Sequence, residues 1–175
     1  DTALNPAHRV ERILSRPLTL SHGLRGAARQ QRLYQLLDLV QLPRSVLWRR
    51  PWALSGGQPP RVHLARALAA EPDLILFDAV TSALDTVVAA AVLDLISELR
   101  RELGLSVIFI SHDMHAVRAV CDEIVVMKSG RIVTQLSRND YDKPTSELYF
   151  ERLKRAVPEL RQGWLDEHEE ILKAE

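Results

Sequence analysis

Two short apolar runs constrain this chain more than any other feature: Leu74-Ile75-Leu76-Phe77-Asp78 and Ser106-Val107-Ile108-Phe109-Ile110. Neither alternates polar with apolar residues, so both predict strands buried on both faces of a parallel sheet. Between them, residues 86–103 repeat apolar side chains at helical spacing, with Val88, Val92, Leu95 and Leu99 on one face. Asp85 stands where that helix needs a cap, and Gly104 where it needs a stop. Strand, helix and strand in that order argue for a parallel α/β core.

The flanking regions differ in kind. Residues 1–50 read as helices and loops, and the stretch 28–42 puts Leu33, Leu36, Leu37 and Val40 on one face until Pro43 stops it. Residues 61–70 are again helical, with Val62, Ala65 and Ala69 on one stripe. Beyond Ser111-His112-Asp113 a helix runs to about Cys121, and residues 123–136 read as two strands joined by Lys128-Ser129-Gly130. The tail, 141–175, is charged with helical stretches and is expected at the periphery.

Composition excludes some functions. The 23 basic and 23 acidic residues balance, which argues against a tight polyanion binder while leaving room for a local basic patch. No apolar run approaches the roughly 18–20 residues that span a bilayer. The first ten residues lack the apolar stretch of a secretory signal, and they begin without Met. A single cysteine, Cys121, excludes an internal disulfide and a cysteine-rich metal site, and it is expected to pack as a small core hydrophobe. The expectation is a soluble, cytoplasmic-type α/β protein.

Four sites carry possible chemistry. In Ser55-Gly56-Gly57-Gln58 the glycines let backbone N–H groups approach an anion, and the helix after them offers its positive end. Alone, such a motif is more often only a turn. Asp78 ends a strand, where a carboxylate can hold Mg²⁺ directly or through water, or can simply be solvated. His112 ends the next strand and could donate to a γ-phosphate or play a structural part. Asp85 caps its helix on any reading.

Order and spacing change the balance. "LSGGQ", then "LILFD" starting twenty residues after it starts, "TSALD" and then "ISHD" together resemble the ABC-type ATPase domain. On that resemblance Ser55, Gly56, Gly57 and Gln58 are the signature loop, Asp78 the Walker B acid, Asp85 part of the D-loop and His112 the switch histidine. "DTALNP" and the tail are similar to segments of the dipeptide/oligopeptide importer branch. The resemblance implies an incomplete RecA-like P-loop core with an α-helical signature subdomain. Residues 1–58 would be that subdomain, 59–137 the second half of the core and 138–175 a C-terminal extension. It further implies ATP and Mg²⁺ as cofactors and a role in solute import, with peptides as the solute. The partners implied are a second ABC ATPase domain, as homo- or heterodimer, and transmembrane permease subunits, with no nucleic acid. The expected location is cytoplasmic, peripheral to the membrane through the permease.

The chain departs from the family pattern in three ways. It contains no Gly-x-x-x-x-Gly-Lys-Ser/Thr, so the phosphate loop is missing and the chain is expected to be a truncated domain that binds ATP weakly. Ala79 follows Asp78 where the family usually has Glu as general base, and alanine cannot accept a proton. Pro59 and Pro60 follow the signature, and the helix is therefore expected to start late, near Pro59 or Pro60, leaving the Ser-Gly-Gly amides without dipole support. Two alternatives stand beside the transporter: a catalytically degenerate regulatory or structural subunit, and a non-transport ABC ATPase.

Overall fold

Leu33, Leu36, Leu37 and Val40 are fully enclosed, and they belong to α2 (Gly26–Leu39) and its C-cap. The structure, a computed structural model, describes residues 4–82, 84–145 and 147–155. The chain divides into two units, Asp1–Ile110 and Ser111–Glu175.

In the first unit, α1 (Val10–His22), α2 and α3 (Gln58–Leu68) pack on one another. Their seam holds Val10, Leu14 and Leu18 of α1 and Val62 and Ala65 of α3, all fully buried. Helix α1 has the less legible pattern because Pro17 lies inside it. Proline has no N–H to give the carbonyl four residues back, so α1 survives on its packing rather than on its propensity. Gly23, in the left-handed region at φ 63°, ends α1 by donating to the Thr19 carbonyl at 3.1 Å. After α2 the chain makes two 3-10 turns, Arg44–Trp48 and Pro51–Ala53. Val46 and Leu47 anchor the first in the core, and the Arg49 carbonyl accepts from Val10 N–H at 2.9 Å, tying this loop to the start of α1.

Strands β1 (Leu74–Asp78) and β2 (Ser106–Ile110) run parallel, with Leu76 opposite Ile108 and Asp78 opposite Ile110. The intervening α4 (Thr86–Leu103) buries Val92, Leu95 and Leu99 as its spacing predicted, and Gly104 closes it at φ 65°. The expectation of strands buried on both faces needs correction. Ile75 and Phe77 are enclosed, but Leu74 and Leu76 are 50% and 58% exposed, and Ile108 and Ile110 are 47% and 49% exposed. Side chains alternate across a strand, and among the described residues β1 and β2 form a two-stranded sheet with one face uncovered.

The second unit holds α5 (Met114–Val120), an antiparallel hairpin of β3 (Glu123–Lys128) and β4 (Arg131–Ser137), and α6 (Leu148–Arg155). The hairpin turn sits where the sequence predicted it. Ser129 and Gly130 both take positive φ, 50° and 75°, as a two-residue turn between twisted strands requires. Tyr141 meets Phe150 edge to face at 5.7 Å, and burial raises the Tyr141 phenol above its ordinary pKa. Cys121, expected in the core, is half-buried. Residues 156–175, most of the expected peripheral tail, lie outside the described residues. Among the described residues no helix is long and apolar enough to cross a membrane.

The helical seam gives a direct test. Leu36→Ala should lower stability by about 2–5 kcal/mol in urea denaturation. Leu20→Ala, at a side chain 73% exposed on the neighbouring helix, should change it by less than about 0.5 kcal/mol.

Candidate functional site

The turn Ser55-Gly56-Gly57 joins the second 3-10 turn to α3. Gln58 N–H donates to the Ser55 carbonyl at 2.8 Å, and Gln58 Oε1 accepts from Ser55 N–H at 3.1 Å. In that second bond the first helical residue reaches back three residues with its side chain to a backbone N–H ahead of the helix.

Helix α3 begins at Gln58, with Gly57 as N-cap in the right-handed helical region at φ −83°. The helix therefore begins one residue before Pro59 and two before Pro60, where its start was expected. The prolines occupy the second and third helical positions, where no intrahelical acceptor awaits an N–H. Their rings face carbonyls that precede the helix, so the interior clash does not arise. The helix end backs directly onto Gly57, and its dipole is retained. What the prolines remove is donors. Pro59 and Pro60 have no N–H, and that of Gln58 is spent on Ser55. The amides of Gly56 and Gly57 and the Ser55 hydroxyl take no partner among the described hydrogen bonds, and Ser55 and Gly56 are exposed.

Gly57 lies close to the first turn of α4. A Cβ built on it would stand 3.4 Å from Val88 Cγ1, whereas one on Gly56 would meet nothing within 4 Å. Val88 is also the residue whose N–H donates to Asp85 Oδ1, at 2.9 Å, in the α4 cap. The structure thus brings the Ser-Gly-Gly turn and Asp85 together through one residue, Val88. No sequence spacing announced that contact. Half-buried His63, further along α3, has its pKa lowered first by burial and then by nearby Arg66.

Asp78 ends β1 with an exposed carboxylate that takes no hydrogen bond among the described residues. Ala79 continues the ladder by one bond, its N–H donating to the Ile110 carbonyl at 2.9 Å, and then turns sharply at φ 49°. Its carbonyl accepts from Ser82 N–H at 3.2 Å and from Ser82 Oγ at 2.8 Å. An alanine held in the left-handed region costs about 1 kcal/mol or more, so these bonds hold a strained corner immediately after the strand-end acid. The sequence marked Ala79 for its chemistry but carried no signal for its backbone.

His112 belongs to the second unit and is exposed there. It sits between Ser111, whose Oγ accepts from Asp113 N–H at 3.0 Å, and Asp113, which caps α5 by accepting from His115 N–H and Ala116 N–H. Among the described residues no three His, Cys, Asp or Glu side chains gather as a metal cluster. The exposed Asp78 carboxylate could take part in holding Mg²⁺, an ion that keeps several waters and binds through one or two carboxylates plus substrate phosphates.

Residues 1–82 match the family profile described as ABC transporter. The oligopeptide transport ATP-binding protein OppF of Lactococcus lactis subsp. lactis is 38% identical over 160 residues, covering 91% of this chain and 50% of that protein. The dipeptide transport ATP-binding protein DppF of Escherichia coli K12 is 37% identical over 158 residues, 90% of this chain and 47% of its own length. The nickel import ATP-binding protein NikE of Escherichia coli O6:K15:H31 is 42% identical over 132 residues, covering 75% of this chain and 49% of that protein. Among solved structures, the dimeric post-hydrolysis state of the ATP-binding cassette MJ0796 bound to ADP and Pi matches with a TM-score of 0.68 at 30% identity, over 78% of this chain and 59% of that one. The chain spans about half the length of the curated relatives it matches.

Two substitutions probe the local geometry. Asp85→Ala should lose about 1 kcal/mol with the α4 cap, read as a lower midpoint in thermal denaturation. Ala79→Gly should move the opposite way, raising stability by up to about 1 kcal/mol as the left-handed corner relaxes, less what the freer unfolded chain takes back.

Proposed function

This chain belongs to the ABC transporter ATP-binding family, and on that premise we propose that it serves as part of the ATP-binding subunit of an importer whose solute is a peptide. The observation that carries the proposal is the Ser55-Gly56-Gly57 turn. It offers a hydroxyl and two unspent amides to solvent, backed by the start of α3 and seated against the first turn of α4. Donors so arranged suit an oxyanion supplied from outside this chain, namely the terminal phosphate of ATP on a second ATP-binding domain, in a homo- or heterodimer. Gln58 holds the turn in shape. Asp85, fixed at the same corner, would lie at the seam between the two domains.

Asp78 and His112 serve the nucleotide of this domain itself. The Asp78 carboxylate would hold Mg²⁺, directly or through water, and His112 would donate to the γ-phosphate. Mg²⁺, when bound, neutralises charge on the β- and γ-phosphates. The sequence has no phosphate loop, so this chain alone binds ATP weakly and turns it over negligibly. Residues 1–58 act as the signature subdomain that meets a permease subunit, 59–137 as core and 138–175 as an extension. The protein works at the cytoplasmic face of the membrane through that permease.

Ala79 favours a second reading, a subunit that binds ATP and regulates or supports rather than hydrolyses. Without a carboxylate beside Asp78, no side chain there can orient and deprotonate the attacking water.

Calorimetric titration with ATP and Mg²⁺ tests both readings. The chain is compared with a chimaera in which the phosphate-loop half of an oligopeptide importer's ATP-binding protein precedes Asp1. The chimaera should bind and the chain alone should bind weakly. Ala79→Glu in the chimaera should then raise the hydrolysis rate by about 10²–10⁴. A chimaera that folds yet has no affinity for ATP would overturn the nucleotide role. A binding chimaera that stays inert with Glu in place would favour the regulatory subunit.

A further inference from the structure

The balanced charge of the chain is an average of unlike parts. Residues 4–70 hold eleven arginines, no lysine and two acids, Glu11 and Asp38. Residues 71–110 reverse this, with seven acids against Arg100 and Arg101. Arg32 and Arg44 pair with Glu71 and Asp38, and the remaining excess of one sign favours an anionic partner.

The arginines are arranged. Arg9, Arg12, Arg16 and Leu20 follow one another at helical spacing along a single stripe of α1, and all four are exposed. An open groove of about 710 Å³ runs beside this stripe, lined by Arg12, Arg16, Leu20 and Pro17, with Arg29 and Arg66 on its other elements. Glu11 offsets part of this charge, at 3.9 Å from Arg29. The loop tied to the start of α1 by the Arg49 carbonyl adds Trp48, Arg49, Arg50 and Trp52. Its indoles are 57% and 74% exposed. Arg9, Arg12, Arg16, Arg49 and Arg50 make no side-chain hydrogen bond or ion pair among the described residues.

We infer that this face of the first unit docks directly on an anionic lipid surface, with Arg9, Arg12, Arg16, Arg49 and Arg50 meeting lipid phosphates and Trp48 and Trp52 entering the headgroup layer. Unpaired arginines alone fit any polyanion. The bare indoles flanked by arginines and the bare Leu20 decide the class. Indoles settle where an apolar medium meets water, and arginine stems lie along apolar surface while their heads reach phosphate. A nucleic-acid duplex gives Leu20 and two indoles no such layer. This contact goes beyond the proposed transport role and holds whether or not the chain binds ATP.

The test uses the full chain carrying Trp164→Phe, which leaves Trp48 and Trp52 as the only reporters. Phosphatidylcholine vesicles with and without phosphatidylglycerol are sedimented and titrated. The chain should bind only those with phosphatidylglycerol, with a blue shift of tryptophan emission and a steep loss of affinity as salt rises. Removing Arg9, Arg12 and Arg16 together as glutamines should weaken binding about a hundredfold, at roughly fivefold for each cation near the surface. If circular dichroism shows that variant unfolded, Arg49→Gln with Arg50→Gln replaces it, with an expected loss of roughly twentyfold. Equal binding to both vesicle types, or undiminished binding by a folded arginine variant, overturns the inference. Tighter binding to a single-stranded oligonucleotide than to phosphatidylglycerol vesicles at the same salt also overturns it, assigning the face to nucleic acid.

Discussion

The functional corner of the first unit depends on the approach of Gly57 to Val88. A Cβ at position 57 would stand 3.4 Å from Val88 Cγ1, at van der Waals contact. Val88 in turn is held by its N–H bond to Asp85. A turn with unspent amides and a helix that begins with a carboxylate thus stand side by side at Val88. The neighbouring Gly56 has open space around it. One glycine faces Val88 and the other faces open space.

Beside that corner, the prolines and Ala79 alter chemistry more than shape. Pro59 and Pro60 sit within the helix turn that tolerates them and cost it donors rather than direction. Ala79 keeps the strand-end ladder through its bond to Ile110 and keeps the corner through Ser82, while lacking any group that could take a proton. Backbone hydrogen bonds therefore set this corner, while the side chain at position 79 decides only what chemistry it can do.

The fold was legible wherever periodicity was strong. The faces of α2, α3 and α4, the Ser129-Gly130 hairpin and the parallel pairing of β1 with β2 all followed from apolar spacing and turn residues. Helix α1 was not singled out because Pro17 argued locally against it, and packing of Val10, Leu14 and Leu18 outweighed that preference. The exposed face of the sheet was misread because an unalternating run of apolar residues states what a strand could bury, not what covers it. The arginine face was hidden by a balanced total, since net charge carries no information about position.

By itself the sequence determined the chemistry available: a Ser-Gly-Gly turn, a strand-end Asp78 without a neighbouring base, a helix-capping Asp85 and an arginine-rich first third. These are properties of residue type and of spacing within single elements, which helical and strand periods fix. Tertiary structure alone decided that Gly57 would meet Val88, that Ala79 would take a left-handed corner and that Trp48 and Trp52 would face outward beside the arginine stripe of α1. Each of those outcomes joins segments that are distant in the chain or sets one residue against its own preference. Only the packing of whole elements supplies the free energy to do either.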